Sequence, residues 1–320
     1  MKPTYRTILT TGFLALMALI LVACGEAPAT ASSADARPVI GYVINNMNDT
    51  FQTFILNAAE AQAATYGMDV NVVSSNEDLL TQIDQVNNLI QAGVSGLVVV
   101  PVDTSGMGPI TQAATEAGIP LVFVNRNPFG TNSLPEGVFY VGSQNRDAGI
   151  IQARLLGEQL SHGGVAILMG ILGDEGAVHR TQGVNETLAT YYPNLTVLAE
   201  ETGQWQRDQA ITLTENLISA HGDNLHAILA NNDEMALGAL QAVRSIGRED
   251  IIIVGIDATP DALEEVATGG LAATVFQDAQ GQGAGAVTVL NGAITGNPPT
   301  EAITWIEFQL VTLDNIADFH

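Results

Sequence analysis

The sequence of 320 residues contains one cysteine, Cys24, and one lysine, Lys2. A single cysteine excludes an intramolecular disulfide bond. The 10 Lys and Arg residues stand against 34 Asp and Glu residues, which gives a formal net charge of −24 at pH 7. A surface this acidic repels the phosphate backbone, so the composition excludes DNA or RNA as a partner. Because the acidic residues form no continuous run, we interpret their excess as a contribution to solubility.

Several sequence motifs of enzymes are also missing. The chain has neither the G-x-S-x-G pattern of a serine nucleophile nor the H-E-x-x-H pattern of a zinc site. Its first strand is followed by "NNMNDTF", without the glycines that let backbone N–H groups approach phosphate oxygens. We therefore predict a protein that is not an enzyme and has no cofactor or metal ion. Paired carboxylates at Asp49 and Asp257 keep glycoside hydrolysis as the rival hypothesis.

The N-terminus has the layout of a secretory signal. Lys2 and Arg6 precede the apolar run "ILTTGFLALMALILVAC", and no acidic residue occurs before Glu26. The core of the run, residues 13–23, is short for a membrane span. We therefore expect residues 1–23 to be a signal peptide and the rest of the chain to be extracytoplasmic.

The run ends in "LVACG", which resembles the lipobox of bacterial lipoproteins, where cleavage leaves a lipidated cysteine at the new N-terminus. This predicts lipidation at Cys24. Residues 24–37 are mostly small and polar and include Pro28, which is typical of a flexible tether. The protein is then anchored in the periplasm or on the outer face of the cell membrane. An uncleaved N-terminal anchor is the alternative.

Short β-branched runs alternate with helical segments at a spacing of roughly 25–30 residues, the rhythm of a parallel α/β sheet. The runs "GLVVVP" and "IIIVG" are apolar throughout, as in strands covered by helices on both sides. The segment "DLLTQIDQVNNLIQAG" has the apolar spacing of a helix, and Gly93 ends it. The candidate strands begin near Val39, Val70, Leu97, Leu121, Val165, Val197, Ala227, Ile251 and Ala272.

The regular alternation of strands and helices is interrupted between Val124 and Val165, where turn-forming residues precede a further strand, "VFYVG". We expect the chain to pass from one lobe to a second at Val141–Ser143. The helix after Asp278 needs a neighbour to cover it, and we assign it to the first lobe. The predicted N-terminal lobe is 38–141 plus 278–307, and the predicted C-terminal lobe is 142–277 plus 308–320.

Polar or aromatic side chains follow nearly every candidate strand, and ligands bind at the carboxyl ends of the strands in such sheets. Some of these residues also fit structural roles: Asp49 and Asn232 as helix caps, and Phe51 as a core residue. Asp257 has no such role, because Thr259 can cap the next helix and Pro260 can begin it. The candidates include Asp49, Phe51, Asn125, Arg126, Arg180, Trp205, Asn232, Asp257 and Gln277.

This set of side chains suits a polyol. Aromatic rings cover the apolar C–H faces of a sugar, while carboxylates, amides and guanidinium groups bond its hydroxyls. Asp49 and Asp257 argue against a phosphorylated ligand, and Arg126 and Arg180 would balance their charge. We therefore predict a neutral monosaccharide or a related polyol.

The segments "NDTF", "VFVNRNP", "YVGSQNRDAG", "GQWQRDQA", "ILANNDEMALGALQA", "VGIDATPDAL" and "GLAATVFQDAQGQG" occur in the order of a known family. Through them the chain resembles the type I periplasmic sugar-binding proteins of bacterial ABC importers, most closely the galactose/glucose- and ribose-binding group. The resemblance covers about residues 38–319. It implies two similar doubly wound α/β lobes, joined by a hinge of three crossovers, that close over a sugar.

The resemblance also implies a role for each candidate. Phe51 of the first lobe and Trp205 of the second would enclose the sugar between two rings. Gln277 takes the place of an Asn in the galactose group. Polar contacts would come from Asp49, Asn125 and Arg126 in the first lobe and from Arg180, Asn232 and Asp257 in the second.

Three departures from the galactose group bear on the ligand. Asn45 replaces a Tyr and opens space at the end of the first strand. The segment "GDEGAVHRTQG" lacks the His and Asp that precede the arginine, and Asp174 or Glu175 is the candidate to replace them. The segment "GEQLSHGGVAI" has no acidic calcium loop, so we expect no structural calcium. A different aldose, or a cyclic polyol such as inositol, suits these changes as well as galactose does.

The leading hypothesis is therefore a lipid-anchored, monomeric receptor that delivers a monosaccharide or cyclic polyol to an ABC transporter permease. The alternative is a sensory receptor of the same fold that presents a sugar, inositol or signalling molecule to a membrane partner. A transcriptional repressor of this fold needs a basic helix-turn-helix ahead of the body. The chain has a signal and a tether at that position, which excludes a repressor.

Overall fold

Strands and helices alternate along the chain and form two lobes. The computed structural model describes residues 37–130 and 133–319, so the predicted signal peptide and Cys24 lie outside it. The strands are β1 (Val39–Ile44), β2 (Asp69–Ser74), β3 (Leu97–Val99), β4 (Leu121–Val124), β5 (Val138–Gly142), β6 (Gly163–Met169), β7 (Leu195–Thr202), β8 (Leu225–Ala230), β9 (Ile252–Val254), β10 (Thr274–Phe276), β11 (Ile303–Trp305) and β12 (Gln309–Val311). The helices are α1 (Thr50–Thr65), α2 (Leu79–Gln91), α3 (Gly108–Ala117), α4 (Asn145–Gln159), α5 (Glu175–Tyr191), α6 (Arg207–His221), α7 (Asp233–Ile246), α8 (Pro260–Thr268) and α9 (Ala279–Ile294).

The first lobe is built on a parallel six-stranded sheet of order β11-β5-β4-β3-β1-β2. Successive side chains of a strand point to opposite faces of the sheet. Tyr42 therefore packs with α1 and α9 on one face, while Val43 packs with α2 and α3 on the other. Because both faces are covered, the central strands are apolar throughout, as the sequence indicated.

The second lobe repeats this plan on a parallel four-stranded sheet of order β7-β6-β8-β9. Helices α4 and α5 cover one face of this sheet, and α6, α7 and α8 cover the other. A short antiparallel pair, β10 with β12, continues from β9 through a bridge between Val254 and Ala273. The α/β class and the doubly wound arrangement predicted from the sequence are confirmed.

The chain passes between the lobes at three places. The first lies between β5 and α4, the second between β10 and α9, and the third between β11 and β12. Helix α9 contributes Val287 and Leu290 to the core of the first lobe. The strands of the last passage have three residues each, too few for the period-2 pattern of a strand to be visible in the sequence.

Aspartate residues cap several helices of the first lobe. Asp49 Oδ1 accepts a hydrogen bond from the Gln52 amide at 3.1 Å at the start of α1. Asp78 Oδ1 does the same for the Thr81 amide at 2.6 Å at the start of α2. Helix α2 confirms the predicted helix, and Gly93 follows its end with a left-handed φ of 80°.

Candidate functional site

A cavity lies between the carboxyl ends of the strands of both lobes. All nine residues that the sequence singled out line it. Four further residues complete the lining: Gln52, Asn145, Asp174 and Gly176. The convergence follows from topology, because parallel strands of one sheet all end at the same edge.

Most of the nine residues stand directly beyond a strand. Asn125 and Arg126 follow β4, and Trp205 follows β7. Asn232, Asp257 and Gln277 follow β8, β9 and β10, and Asp49 and Phe51 follow β1 across a short loop. Arg180 differs, because it lies one and a half turns into α5 and extends into the cavity from the helix.

One aromatic residue of each lobe lines the cavity. Phe51 is 8% exposed and belongs to the core of the first lobe, so its structural interpretation holds, while its role as a ligand contact stays a prediction. Trp205 has a left-handed φ of 68°, and its ring lies against Gly170 so closely that any Cβ there would overlap it. Such backbone strain is typical of positions that the surrounding structure holds in place for function.

Arg180 is the centre of the polar wall contributed by the second lobe. Its Nε donates to Asn145 Oδ1 at 2.9 Å, and its Nη2 donates to Gln277 Oε1 at 2.7 Å. Its Nη1 donates to the carbonyl of Asn231 at 2.6 Å and lies 3.8 Å from Asp257 Oδ1. The guanidinium carbon lies 5.7 Å from the centre of the Trp205 ring, a cation–π distance. Arg180 therefore fixes several lining residues at once.

Asp257 is buried, with a left-handed φ of 127°, and its carboxylate faces Arg180. Burial raises the pKa of Asp257 well above its usual range, although the charge of Arg180 acts in the opposite direction. The predicted cap by Thr259 is wrong. The Thr259 side chain makes no capping bond; its hydroxyl lies 3.3 Å from Asp233, to which its amide donates at 2.8 Å. The fully buried Asp233 attracts the hydroxyl away from the helix end.

Arg126 joins the two lobes. Its Nε lies 3.0 Å from Asp174 Oδ2, an ion pair between the first lobe and the start of α5 in the second. Its Nη1 donates to the carbonyls of Pro101 and Val102 and lies 3.5 Å from Glu77. Arg180 faces Asp257 as predicted, whereas Arg126 contacts a third carboxylate, Asp174, and acts on Asp49 through its charge from a greater distance.

The amide side chains have capping and positioning roles as well. Asn232 Oδ1 accepts from the Met235 amide at 3.0 Å and so caps α7, while its Nδ2 donates to the Trp205 carbonyl at 3.2 Å. Asn125 Oδ1 accepts from Gln52 Nε2 at 2.8 Å. The capping interpretation of Asn232 is therefore correct, and the same residue also lines the cavity.

Two lining residues that the sequence analysis missed, Gln52 and Asn145, occupy the first turns of helices. Each makes its site contact through a partner from elsewhere in the chain, Asn125 for Gln52 and Arg180 for Asn145. Asn145 occurs in "YVGSQNRDAG", directly after the first passage between the lobes. That position could have identified it as a residue of the cavity lining. No comparable signal marks Gln52.

We expect the free energy of unfolding to fall as the pH rises from about 5 to about 8. Burial raises the pKa values of Asp233 and Asp257 in the folded state, while the unfolded chain keeps values near ~3.9. The hydrogen bond that the His179 imidazolium donates to the Glu175 carboxylate raises the pKa of His179 as well. The folded state therefore binds more protons than the unfolded state in this window, so stability declines with rising pH.

Urea unfolding at several pH values tests this expectation. Asp257→Asn should reduce the slope, and His179→Gln should remove a further part of it. Asp84→Asn, at an exposed aspartate of α2, is the control and should leave the slope unchanged. A stability that is constant or rises over the window would contradict the assignment of buried, proton-binding carboxylates.

Two lobes that enclose a polar cavity define a solute-binding protein. A family model described as a periplasmic binding protein domain matches residues 40–298, and the chain belongs to that family. It is 39% identical over 293 residues to a putative rhizopine-binding protein of Rhizobium meliloti, covering 90% of this chain and 94% of the relative. It is 30% identical over 262 residues to the ribose import binding protein of Escherichia coli K12, covering 82% of this chain and 86% of the relative.

A solved structure with a similar fold is an ABC transporter solute binding protein from Bacillus halodurans C-125 with bound myo-inositol. It aligns with a TM-score of 0.82 at 34% identity and covers 88% of this chain and 97% of its own. These similarities confirm the predicted family and fold. They also confirm that the chain is a solute-binding protein of the ABC importer type rather than an enzyme.

No helix among residues 37–130 and 133–319 is long and apolar enough to cross a bilayer. Within the same ranges, no three His, Asp or Glu side chains are grouped in a way that could hold a metal ion. The absence of a structural calcium remains a prediction.

Proposed function

We propose that the chain captures a monosaccharide or a cyclic polyol, such as an inositol, in the cavity between its lobes and delivers it to an ABC permease. The nine predicted residues act as its contacts, with Phe51 and Trp205 covering the faces of the ring. Carboxylates and amides bind the hydroxyls at its rim.

One observation carries this proposal. Gln277 is 2% exposed and uses its Oε1 for Arg180, yet its Nε2 has no hydrogen-bond partner among the described residues. Trp205 Nε1 is also buried without a partner there. A buried donor without an acceptor costs about 1–3 kcal/mol. A ligand rich in hydroxyl oxygens would offer acceptors to two such donors on residues that line one cavity.

The experiment is a fluorescence and calorimetric titration of the protein with aldohexoses, pentoses and inositols. We expect saturable binding of at least one of them with a Kd on the order of micromolar, about −8 kcal/mol. Heat-denatured protein is the control and should give no saturable signal. Absence of binding across the whole series would contradict the proposal. Turnover of nitrophenyl glycosides above the blank would instead support the glycoside hydrolase hypothesis.

We also propose the boundaries of the two lobes and the way in which the protein is attached to the membrane. The lobes are 38–141 with 278–307 and 142–277 with 308–320, which agrees with the membership of the two sheets. The protein acts as a monomer on a lipid attached to Cys24, as the "LVACG" sequence favours. Partition of the expressed protein into a detergent phase, lost in Cys24→Ser, is the measurement for the anchor; equal partition of both forms would contradict it.

A further inference from the structure

One ion pair joins the two lobes. Arg126 Nε of the first lobe lies 3.0 Å from Asp174 Oδ2 of the second lobe, and both side chains are buried. Every other ion pair within residues 37–130 and 133–319 stays inside one lobe. The contact between Arg126 and Asp174 therefore depends on the relative position of the lobes and breaks when they separate.

The first lobe alone holds Arg126 in place. Its Nη1 donates to the carbonyls of Pro101 at 3.0 Å and Val102 at 3.2 Å, and lies 3.5 Å from Glu77 Oε2. Glu77 is fixed in turn, because its Oε1 accepts from Asn45 Nδ2 at 2.6 Å. Its left-handed φ of 59° is a strained conformation of the kind that the surrounding structure maintains at functional positions. All of these partners belong to the first lobe, so separation of the lobes leaves the guanidinium group where it is.

The second lobe holds Asp174 in a comparable way. Asp174 precedes α5, and its Oδ1 accepts from the amides of Gly176 at 2.8 Å and Ala177 at 3.2 Å. This cap fixes the carboxylate and leaves Oδ2 for Arg126. Because both partners are ordered by their own lobes, their contact costs little conformational entropy when the lobes meet.

The neighbouring carboxylate, Glu175, has its partners within the second lobe. Its Oε1 lies 2.6 Å from His179 Nδ1, and its Oε2 accepts from Asn145 Nδ2 at 2.9 Å. The sequence left Asp174 and Glu175 as equal candidates to replace the His and Asp of the galactose group. The geometry separates them, because Asp174 faces the other lobe.

We propose that Asp174 controls closure of the lobes through Arg126, as a positioning residue rather than as a contact of the ligand. A buried ion pair adds little net stability, but removing one partner is unfavourable because it leaves the other charge short of compensation. The closed state therefore requires both residues, whatever ligand occupies the cavity. Since the apparent affinity scales with the fraction of protein that is competent to bind, loss of Asp174 weakens every ligand by the same factor.

The first measurement uses the protein without ligand. Asp208 is exposed on α6 of the second lobe and lines the outer cleft opposite Asn48 of the first lobe. A nitroxide attached at Asp208→Cys, in the Cys24→Ser background, broadens the amide NMR signals around Asn48 when the lobes approach each other. Asp174→Asn keeps a side chain that caps helices equally well but removes the charge, so this broadening should fall about twofold or more.

Asp78→Asn is the matched control for this measurement. It makes the same substitution at the cap of α2, outside the cavity lining, and should leave the broadening unchanged. Equal broadening in the parent and in Asp174→Asn would overturn the control of closure by Asp174.

The second measurement compares ligands by calorimetry. For each of myo-inositol, D-glucose and D-ribose that binds the parent, the Kd of Asp174→Asn is divided by the Kd of the parent. We expect one common ratio of about two- to tenfold, because closure does not depend on which ligand is bound. Ratios that differ between ligands by more than about threefold would indicate a direct contact with the ligand and overturn the positioning role.

A double variant tests whether Asp174 acts through Arg126. In Arg126→Gln the ionic partner is absent, so the addition of Asp174→Asn should change neither the Kd nor the broadening further. A further loss as large as in the parent background would overturn the route through Arg126. The broadening decides this question if Arg126→Gln binds none of the three compounds.

This role of Asp174 rests on the proposed function, yet the two fail under different results. If no sugar or inositol binds the parent, the proposed function fails, and the broadening in the empty protein still decides whether Asp174 controls closure. If ligands bind and Asp174→Asn matches the parent in both measurements, the role of Asp174 is overturned while the proposed function stands.

Discussion

Replacing Arg180 with methionine should abolish ligand binding and lower the free energy of unfolding by about 3–5 kcal/mol. The variant keeps a long apolar side chain but removes the guanidinium group. Asn145, Gln277 and the Asn231 carbonyl each lose a donor, and buried acceptors without partners are unfavourable. Asp257 loses the neighbouring positive charge that favours its ionised form.

Urea unfolding and calorimetric titration measure the two effects. Arg154→Met is the matched control, because Arg154 is exposed on α4 and makes no ion pair within the described residues; it should change neither quantity measurably. The double variant Arg180→Met/Asp257→Asn should regain part of the lost stability, since it also removes the buried carboxyl group that lost its partner. Stability equal to that of the parent in Arg180→Met would refute the role of Arg180 as the organiser of this wall.

Replacing Trp205 with alanine should weaken binding about 10- to 100-fold, a loss of about 1.4–2.7 kcal/mol. The ring supplies apolar area on the second-lobe side of the cavity, and its removal leaves a gap above Gly170 that water fills. The Trp205 backbone carbonyl still accepts from Asn232, so the fold should be retained. Because the variant lacks the tryptophan of the cavity, which would report ligand binding by fluorescence, calorimetry is the appropriate measurement.

Trp305→Ala provides the control for this prediction. Trp305 is the other tryptophan of the chain, 38% exposed, with its ring centre 5.5 Å from that of Tyr140 and outside the cavity lining. Its removal should change the affinity less than about twofold, as expected for a side chain distant from the ligand. Equal losses in both variants would indicate a general effect on the fold and contradict the stacking role of Trp205.

The composition of the cavity could largely be predicted from the sequence, for a topological reason. Residues beyond parallel strands converge whatever the details of packing, so Asp257 and Gln277 could be assigned once their strands were recognised. Arg180 lies within α5, and the spacing of its neighbours gave no reason to select it. It was selected because its segment follows the predicted strand "VAILMG", and the resemblance then implied its role as a ligand contact.

The pairing of charges could not be predicted, because it depends on distances between lobes. Arg126 and Asp174 are 48 positions apart in the sequence, and nothing in either local segment indicates their contact. The prediction that Thr259 caps the next helix was wrong for a related reason. Its local sequence favoured a cap, but the buried Asp233 from another helix attracted its hydroxyl. Tertiary context overrode local preference in both cases.

The ion pair between Arg126 and Asp174 has a consequence for the shape presented to a permease. A buried ion pair adds little net stability, but its geometry is directional and tolerates little displacement. Ligands of different size would otherwise hold the lobes at different angles. A fixed contact beside the ligand, independent of ligand identity, gives every loaded receptor the same outline, so that a single permease surface can recognise them all.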